Sequence, residues 1–335
     1  MKTLPNPDLK WETTKSVNLG LDFSVLGGRL FGNYEFYVSK TSDLLYDVEI
    51  PHMNGMVTNS IPTNIGKLRN IGHEFSITGI PIVNKDFQWT ITANFSLNKN
   101  KVESINYLDI RDMGYFETVG ADAVRLMPGH VVGAFYGYKV DKVDPNTGEL
   151  LYKDLDGNGE FNVGDRTFIG DPNPDFTFGF TNNFKYKNLY LDFLITGSVG
   201  NDIFNASRLD LELMNDFKNQ STAVLDRWTT PGQVTNVPKA GSSSALFISD
   251  RFVEDASYVR LKTLSLSYSL PKKVCNYLGI NTLNFFVTGY DLLTWTGYTG
   301  QDPEASLPTS ASKLSKDSAN TPCSRRFSCG LNLNF

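Results

Sequence analysis

No stretch of this chain approaches the roughly 18 consecutive apolar residues that a membrane-spanning helix requires. Its first residues, MKTLPNPDLKWETT, lack the apolar segment of a secretory leader. Histidine is scarce: His52, His73 and His130 are the only three, without ligand spacing to one another. The three cysteines, Cys275, Cys323 and Cys329, form no metal-type pair, and an odd number cannot all be bridged within one chain. Cys323 and Cys329 are expected to stay unpaired, because Cys329 falls inside a predicted strand. Positive charge is also in deficit, with 31 Lys and Arg against 36 Asp and Glu and no basic run. The chain therefore gives a nucleic-acid backbone little to bind. The segment SLPK at 269–272 matches a Ser-x-x-Lys pair but follows a strand and has no companion motif. With no nucleophile, base or metal triad, an enzyme is not expected.

What the chain does have is aromatic side chains and glycine: 23 Phe, 15 Tyr and 28 Gly, a mixture that favours strands and turns. Apolar and polar residues alternate strictly over many segments. In FQWTITANFSLN, the residues Phe87, Trp89, Ile91, Ala93, Phe95 and Leu97 face one way and Gln88, Thr90, Thr92, Asn94, Ser96 and Asn98 the other. The same pattern runs through 17–25, 29–39, 71–80, 176–186, 188–198, 282–290 and 325–335. It also runs through 256–270, with a slip around Lys262 and Thr263 of the kind a bulge produces. The connections alternate in length. Compact turns at 27–28, 81–86 and 187–188 take turns with polar excursions at about 40–70, 98–174, 199–255 and 291–324. A soluble β-sandwich seldom sorts its loops in this way, whereas an outer-membrane barrel does. The last strand, RRFSCGLNLNF, ends on an apolar-face aromatic, as the interfacial girdle of a membrane barrel would have it. Low mean hydropathy does not oppose this reading, since barrel strands carry a weaker signal than membrane helices.

Seven blocks in order carry a resemblance to a known family. They are LPNPDLKWETTKSVNLGLDF at 4–23, IGKLRNIGHEFSITG at 65–79, VVGAFYGYKVD at 131–141, DLDGNGEFNVGDRTFIGDPNPDFTFGF at 154–180, VEDASYVRLKTLSLSYSLP at 253–271, TGYDLLTWTGYTGQDPE at 288–304 and the closing strand. The chain resembles the SusC/RagA type of TonB-dependent outer-membrane transporter along nearly its whole length. The resemblance implies an all-β fold: an antiparallel transmembrane β-barrel of roughly 22 strands, of which residues 1–335 would be the C-terminal portion. A signal peptide, an N-terminal extension and a plug domain would lie outside this chain. It further implies energised uptake of oligosaccharides or peptides across the outer membrane of a Gram-negative bacterium. The expected partners are a SusD-like surface lipoprotein, TonB through the missing N-terminal part, the glycan or peptide substrate and outer-membrane lipid.

With the C-terminus placed at the periplasm, as in that family, counting back through the loops gives about nine strands with every long loop outside the cell. The 131–140 segment and GELLYKD then belong to an outside hairpin or a loop over the lumen, not to the wall. Asp22, Glu35, Glu74 and Asp192 sit on polar faces and are expected to line the lumen, while Trp89 is expected to face lipid.

Within the long loop, DLDGNGEFNVGD follows the spacing of a calcium loop. Asp154, Asp156, Asn158 and Asn162 supply oxygens at positions 1, 3, 5 and 9, Gly159 takes position 6, and Asp165 replaces the usual Glu at position 12. Glu160, at position 7, would contribute its backbone carbonyl. Two readings stay open: a structural Ca²⁺ site, or an Asx/Gly turn without an ion. No helix pattern follows Asp165, so a sensor mechanism is not expected. Trp295 and Tyr298 could stack on a substrate, and Trp295 equally suits an interfacial girdle. The rival functions are a non-transporting outer-membrane barrel or adhesin, and a soluble, calcium-stiffened carbohydrate-binding β domain.

Overall fold

The structure, a computed structural model, describes residues 6–49, 60–105, 111–116, 121–304 and 315–335. In chain order the strands begin with β1 (Thr13–Val25), β2 (Leu30–Glu49), β3 (Ser60–Val83) and β4 (Phe87–Ile105). Short strands follow: β5 (Arg111–Phe116), β6 (Ala121–Leu126), β7 (Phe135–Gly137), β8 (Val140–Val143), β9 (Leu150–Tyr152) and β10 (Thr167–Gly170). Next come β11 (Phe176–Tyr186), β12 (Leu189–Val199), β13 (Asp202–Asn205), helix α1 (Ala206–Glu212), β14 (Val253–Asp255) and β15 (Tyr258–Ser269). The chain closes with helix α2 (Lys272–Tyr277), β16 (Thr282–Thr296), β17 (Lys316–Asp317) and β18 (Arg326–Asn334).

Nine strands form one antiparallel sheet in the order β1-β2-β3-β4-β11-β12-β15-β16-β18, a pure meander whose edges are not joined. The register carries the sequence alternation across the whole sheet. Leu19, Phe36, His73 and Leu97 stand on one line, as do Phe184, Leu191, Leu266, Val287 and Cys329. The bulge expected near Lys262 is present, with register shifts between Leu261 and Thr263 on one side and Leu194 and Ile195 on the other.

The apolar face stays open. Val17, Leu19 and Leu21 are each over 60% exposed, and Phe75, Ile77, Leu266, Val287, Phe327 and Leu331 are exposed on the same side. A continuous apolar surface of this extent is not sustainable against water, and a membrane barrel turns it to lipid. The buried core lies elsewhere. Phe135, Phe204, Leu209, Leu213, Ile248 and Phe252 come from the loops after β4 and β12 and pack together beyond the apolar band.

The tight turns fall where the sequence placed them. Leu26, Gly27 and Gly28 take positive φ in the four-residue loop between β1 and β2, and Lys187 does so in the two-residue hairpin between β11 and β12. The structure corrects the loop limits. Residues 40–49, 60–70 and 98–105, expected as loop, are strand, because backbone pairing needs no apolar face and register shifts at Thr41–Leu45 and Lys67–Leu68 break the alternation that would announce them. The connection at the short-turn end between β15 and β16 contains α2, whose Cys275 is buried, which alternation could not reveal. All three cysteines are free. Phe135–Gly137 pairs in a separate four-stranded sheet, β10-β7-β6-β5, and β8 pairs with β9, so the 131–140 segment stands outside the wall.

Candidate functional site

The loop end of the wall gathers the polar chemistry of the chain. The acidic loop Asp154–Asp165 closes on itself. Gly157 and Gly159 adopt positive φ of 74° and 82°, and their N–H groups donate to the two oxygens of Asp154 at 2.7 and 2.8 Å. Asp165 is buried, and accepts from Leu155 N at 2.8 Å and Asn162 N at 2.9 Å. The backbone N–H groups of Asn162 and Leu155 hold its carboxyl below the usual carboxylate range.

Asp154, Asp156 and Asp165 offer oxygens that lie within 4.8 Å of one another. Asn158 joins them through Nδ2, which donates to Asp156 Oδ2 at 2.8 Å. Glu160 turns its backbone carbonyl to Asn162 Nδ2 at 3.1 Å, and its carboxylate is not part of the cluster. Phe161 anchors the loop by packing on Tyr138, Tyr152 and Phe247.

The long loops are tied to each other and to the wall. On α1, Arg208 Nε meets Glu212 Oε1 at 2.7 Å, and its Nη1 meets Glu254 Oε1 on β14 at 2.8 Å. Arg251 Nη2 reaches Glu212 Oε2 at 3.1 Å. Glu254 also accepts from Thr299, on the loop after β16. A cleft of about 600 Å³ lies between these loops, lined by Asn205, Arg208, Glu212, Thr299, Gln301 and Asp317 among others.

Arg260, on the polar face of β15, is 2% exposed and meets Asp302 Oδ1 at 2.5 Å and Glu304 Oε2 at 2.7 Å. Lys262 meets Asp291 at 3.0 Å and Glu304 at 3.2 Å. Burial pushes the Asp302 carboxyl up, but N–H groups of Cys323 and Glu304 and the Arg260 guanidinium outweigh it and leave it below its ordinary range. This latch was not singled out from the sequence as a site. Its visible trace is a pair of cations, Arg260 and Lys262, flanking the strand slip, and the acids of TGQDPE.

The two expected substrate aromatics part company. Trp295 lies opposite Val259 on the apolar row of β16 and is half exposed. Tyr298 is 6% exposed, packs with Ile203 and Ala256, and donates its hydroxyl to Asp317 Oδ2 at 2.7 Å. Burial, with the Asp317 carboxylate, pushes the Tyr298 phenol above its ordinary range. Trp228 donates Nε1 to Pro145 O and belongs to the loop core. Of the acids expected to line the lumen, Glu35 lies directly opposite Glu74, and Asp192 accepts from Asn183 at 2.6 Å, all on the polar face. His52 lies outside the described residues.

A one-sided antiparallel meander with its long loops gathered at one end is a wall segment of a membrane β-barrel. The profile of the family described as TonB dependent receptor-like, beta-barrel matches residues 2–288, and the chain belongs to that family. It is 38% identical to TonB-dependent receptor P3 of Formosa agariphila over 98% of this chain and 35% of that protein. It is 31% identical to TonB-dependent receptor SusC of Bacteroides thetaiotaomicron over 98% of this chain and 32% of that protein. Among solved structures, the RagAB peptide transporter superposes with a TM-score of 0.85 at 28% identity, covering 99% of this chain and 36% of that chain. The chain thus spans about a third of the length of these relatives.

Proposed function

We propose that this chain forms pore wall and outside loops of a TonB-dependent outer-membrane receptor that imports oligosaccharides or peptides. The observation that carries the reading is the meander itself: one face predominantly apolar along its band, the other polar, and the loops interlocked at one end. The relatives support it, one being the receptor SusC and another a peptide transporter. A SusD-like surface lipoprotein would seat on the loop end, and TonB would engage a part of the protein outside this chain. Recognition would come from polar contacts in the lumen and in the loop cleft, not from bond chemistry.

The test is uptake of fluorescent oligosaccharides and of fluorescent peptides by cells with and without the gene, and with and without TonB. Loss of one uptake in both deletions is expected. Uptake of both classes unchanged in either deletion would sink the proposal, as would recovery of the protein in the soluble fraction.

For the acidic loop we propose structural Ca²⁺, held by Asp154, Asp156 and Asp165 with Asn158 and the Glu160 carbonyl. Hard oxygen donors converging on one point are what that ion requires. Its role would be to keep the loop in shape near the pore mouth.

A further inference from the structure

Charges directly opposite one another on neighbouring strands interact, and like charges there repel. On the apolar side of the wall, at the loop end of the apolar band, the register places Lys15 opposite Lys40, Lys40 opposite Arg69, and Arg69 opposite Lys101. The line is unbroken across β1, β2, β3 and β4. The next line toward the short turns reads Val17, Val38, Ile71 and Lys99, and the one after it Leu19, Phe36, His73 and Leu97. Five cations therefore stand where the lipid-facing surface passes into the outside loops.

Compensation within the protein is small. Among the described residues, Glu103 meets Lys40 at 3.2 Å and Asp175 meets Lys99 at 4.0 Å. Arg69 Nε is shut off from solvent and has no hydrogen-bond acceptor. A cavity of about 640 Å³ adjoins the row, walled by Arg69, Lys99 and Lys101 together with Ile71 and Phe168, and also by Asp171 and Asp175. A row of like charges kept together at this level calls for an external anion. The apolar lines next to it fix which one, because a ligand touching both must be phosphate-bearing at one end and acyl at the other.

We propose that Lys15, Lys40, Arg69, Lys99 and Lys101 form a docking belt for phosphorylated lipid headgroups of the outer leaflet. The belt rests on the reading of this wall as membrane-spanning with its long loops outside. Phosphate oxygens would bridge neighbouring cations, removing their mutual repulsion, while the acyl chains lie along Val17, Val38 and Ile71. The belt would fix the depth of β1–β4 in the bilayer and hold the long β2–β3 ribbon upright above it.

The test uses the whole protein that carries this chain, placed in phosphatidylcholine vesicles containing a minor share of a bis-phosphorylated glycolipid. Lipid retained on the released protein is read by native mass spectrometry. Enrichment of the phosphorylated lipid by about tenfold over its bilayer share is expected for the wild type, from summed attraction to several cations. K40Q/R69Q/K101Q should lower it to the bilayer share, while the charge-conserving K40R/R69K/K101R and a control triple in the loops, K139Q/K142Q/K153Q, should keep it. If the Gln triple does not fold, the single variant K101Q should still lower the enrichment severalfold. Equal enrichment in wild type and Gln variants would overturn the belt, and complete displacement by millimolar inorganic phosphate would assign the site to free phosphate instead. Failure of the wild type to enter vesicles would overturn the membrane reading beneath it, an outcome distinct from entry without enrichment.

Discussion

The indole Nε1 of Trp89 donates to Oδ1 of Asn182 at 3.1 Å, across β4 and β11 and on the apolar side of the wall. Asn182 is the polar exception in an aromatic row, between Phe180 and Phe184, and stands opposite Ile91 and Phe193. An amide facing lipid without a partner is costly, and the indole supplies the missing donor while its ring stacks on Phe184 at 5.6 Å. Trp89→Phe should destabilise the folded barrel by about 1–2 kcal/mol. Asn182→Leu in the same background should recover most of that loss. Denaturant midpoints of the whole protein in detergent check it, and purely additive effects of the two substitutions would contradict the coupling.

The acidic loop gives a metal prediction. Calcium should bind with a dissociation constant on the order of 10⁻⁴–10⁻³ M, the range of extracellular modules. Asp154→Asn combined with Asp156→Asn should abolish it, read by calorimetry. Chelation should raise proteolysis within 141–175 and leave the wall's hydrogen-exchange protection unchanged.

Breaking the latch should free one loop selectively. Arg260→Met removes the cation facing Asp302, which is 4% exposed, and should cost about 3 kcal/mol because the buried carboxylate keeps only its backbone N–H partners. Hydrogen exchange at residues 297–304 should accelerate while β1–β4 stay protected. An Asp302→Asn exchange should produce a milder version of the same pattern.

Acid should loosen the loop core at Glu149. Burial raises this carboxyl, but hydrogen bonds from Lys239, Ser242 and Ser244 prevail and pull it down to about 2 from an ordinary 4.5. A carboxyl lowered by folding stabilises above its unfolded value and loses that contribution as pH falls toward the folded one. Between about pH 4.5 and 2, protection of residues 242–246 should fall in the wild type. In Glu149→Gln, the pH dependence across that window should be reduced.

Much of the wall was legible because strand alternation has a period of two and one face is predominantly apolar. Phe87 through Leu97 announced both their strand and its lipid face, and the slip at Lys262 announced its bulge. Ribbon such as 40–49, where Leu44, Leu45 and Tyr46 run together across two register shifts, lacks that alternation, so its strand was invisible. Three acids of the loop motif were found because local spacing alone brings them together, as Asx turns and two positive-φ glycines fold the segment back on itself. Arg260 and Asp302 are 42 positions apart, and nothing in either neighbourhood states that they meet.

The sequence by itself determined the approximate number of wall strands, their two faces and the segregation of long loops from short turns, since each follows from alternation between near neighbours; the short strands within the loops it did not show. The tertiary structure alone decided that the buried core lies in the loops, that Tyr298 is tucked under Asp317 while Trp295 stays on the apolar row, and that four cations from four strands share one line. Those facts depend on register and on long-range packing, which set residues side by side irrespective of their distance along the chain.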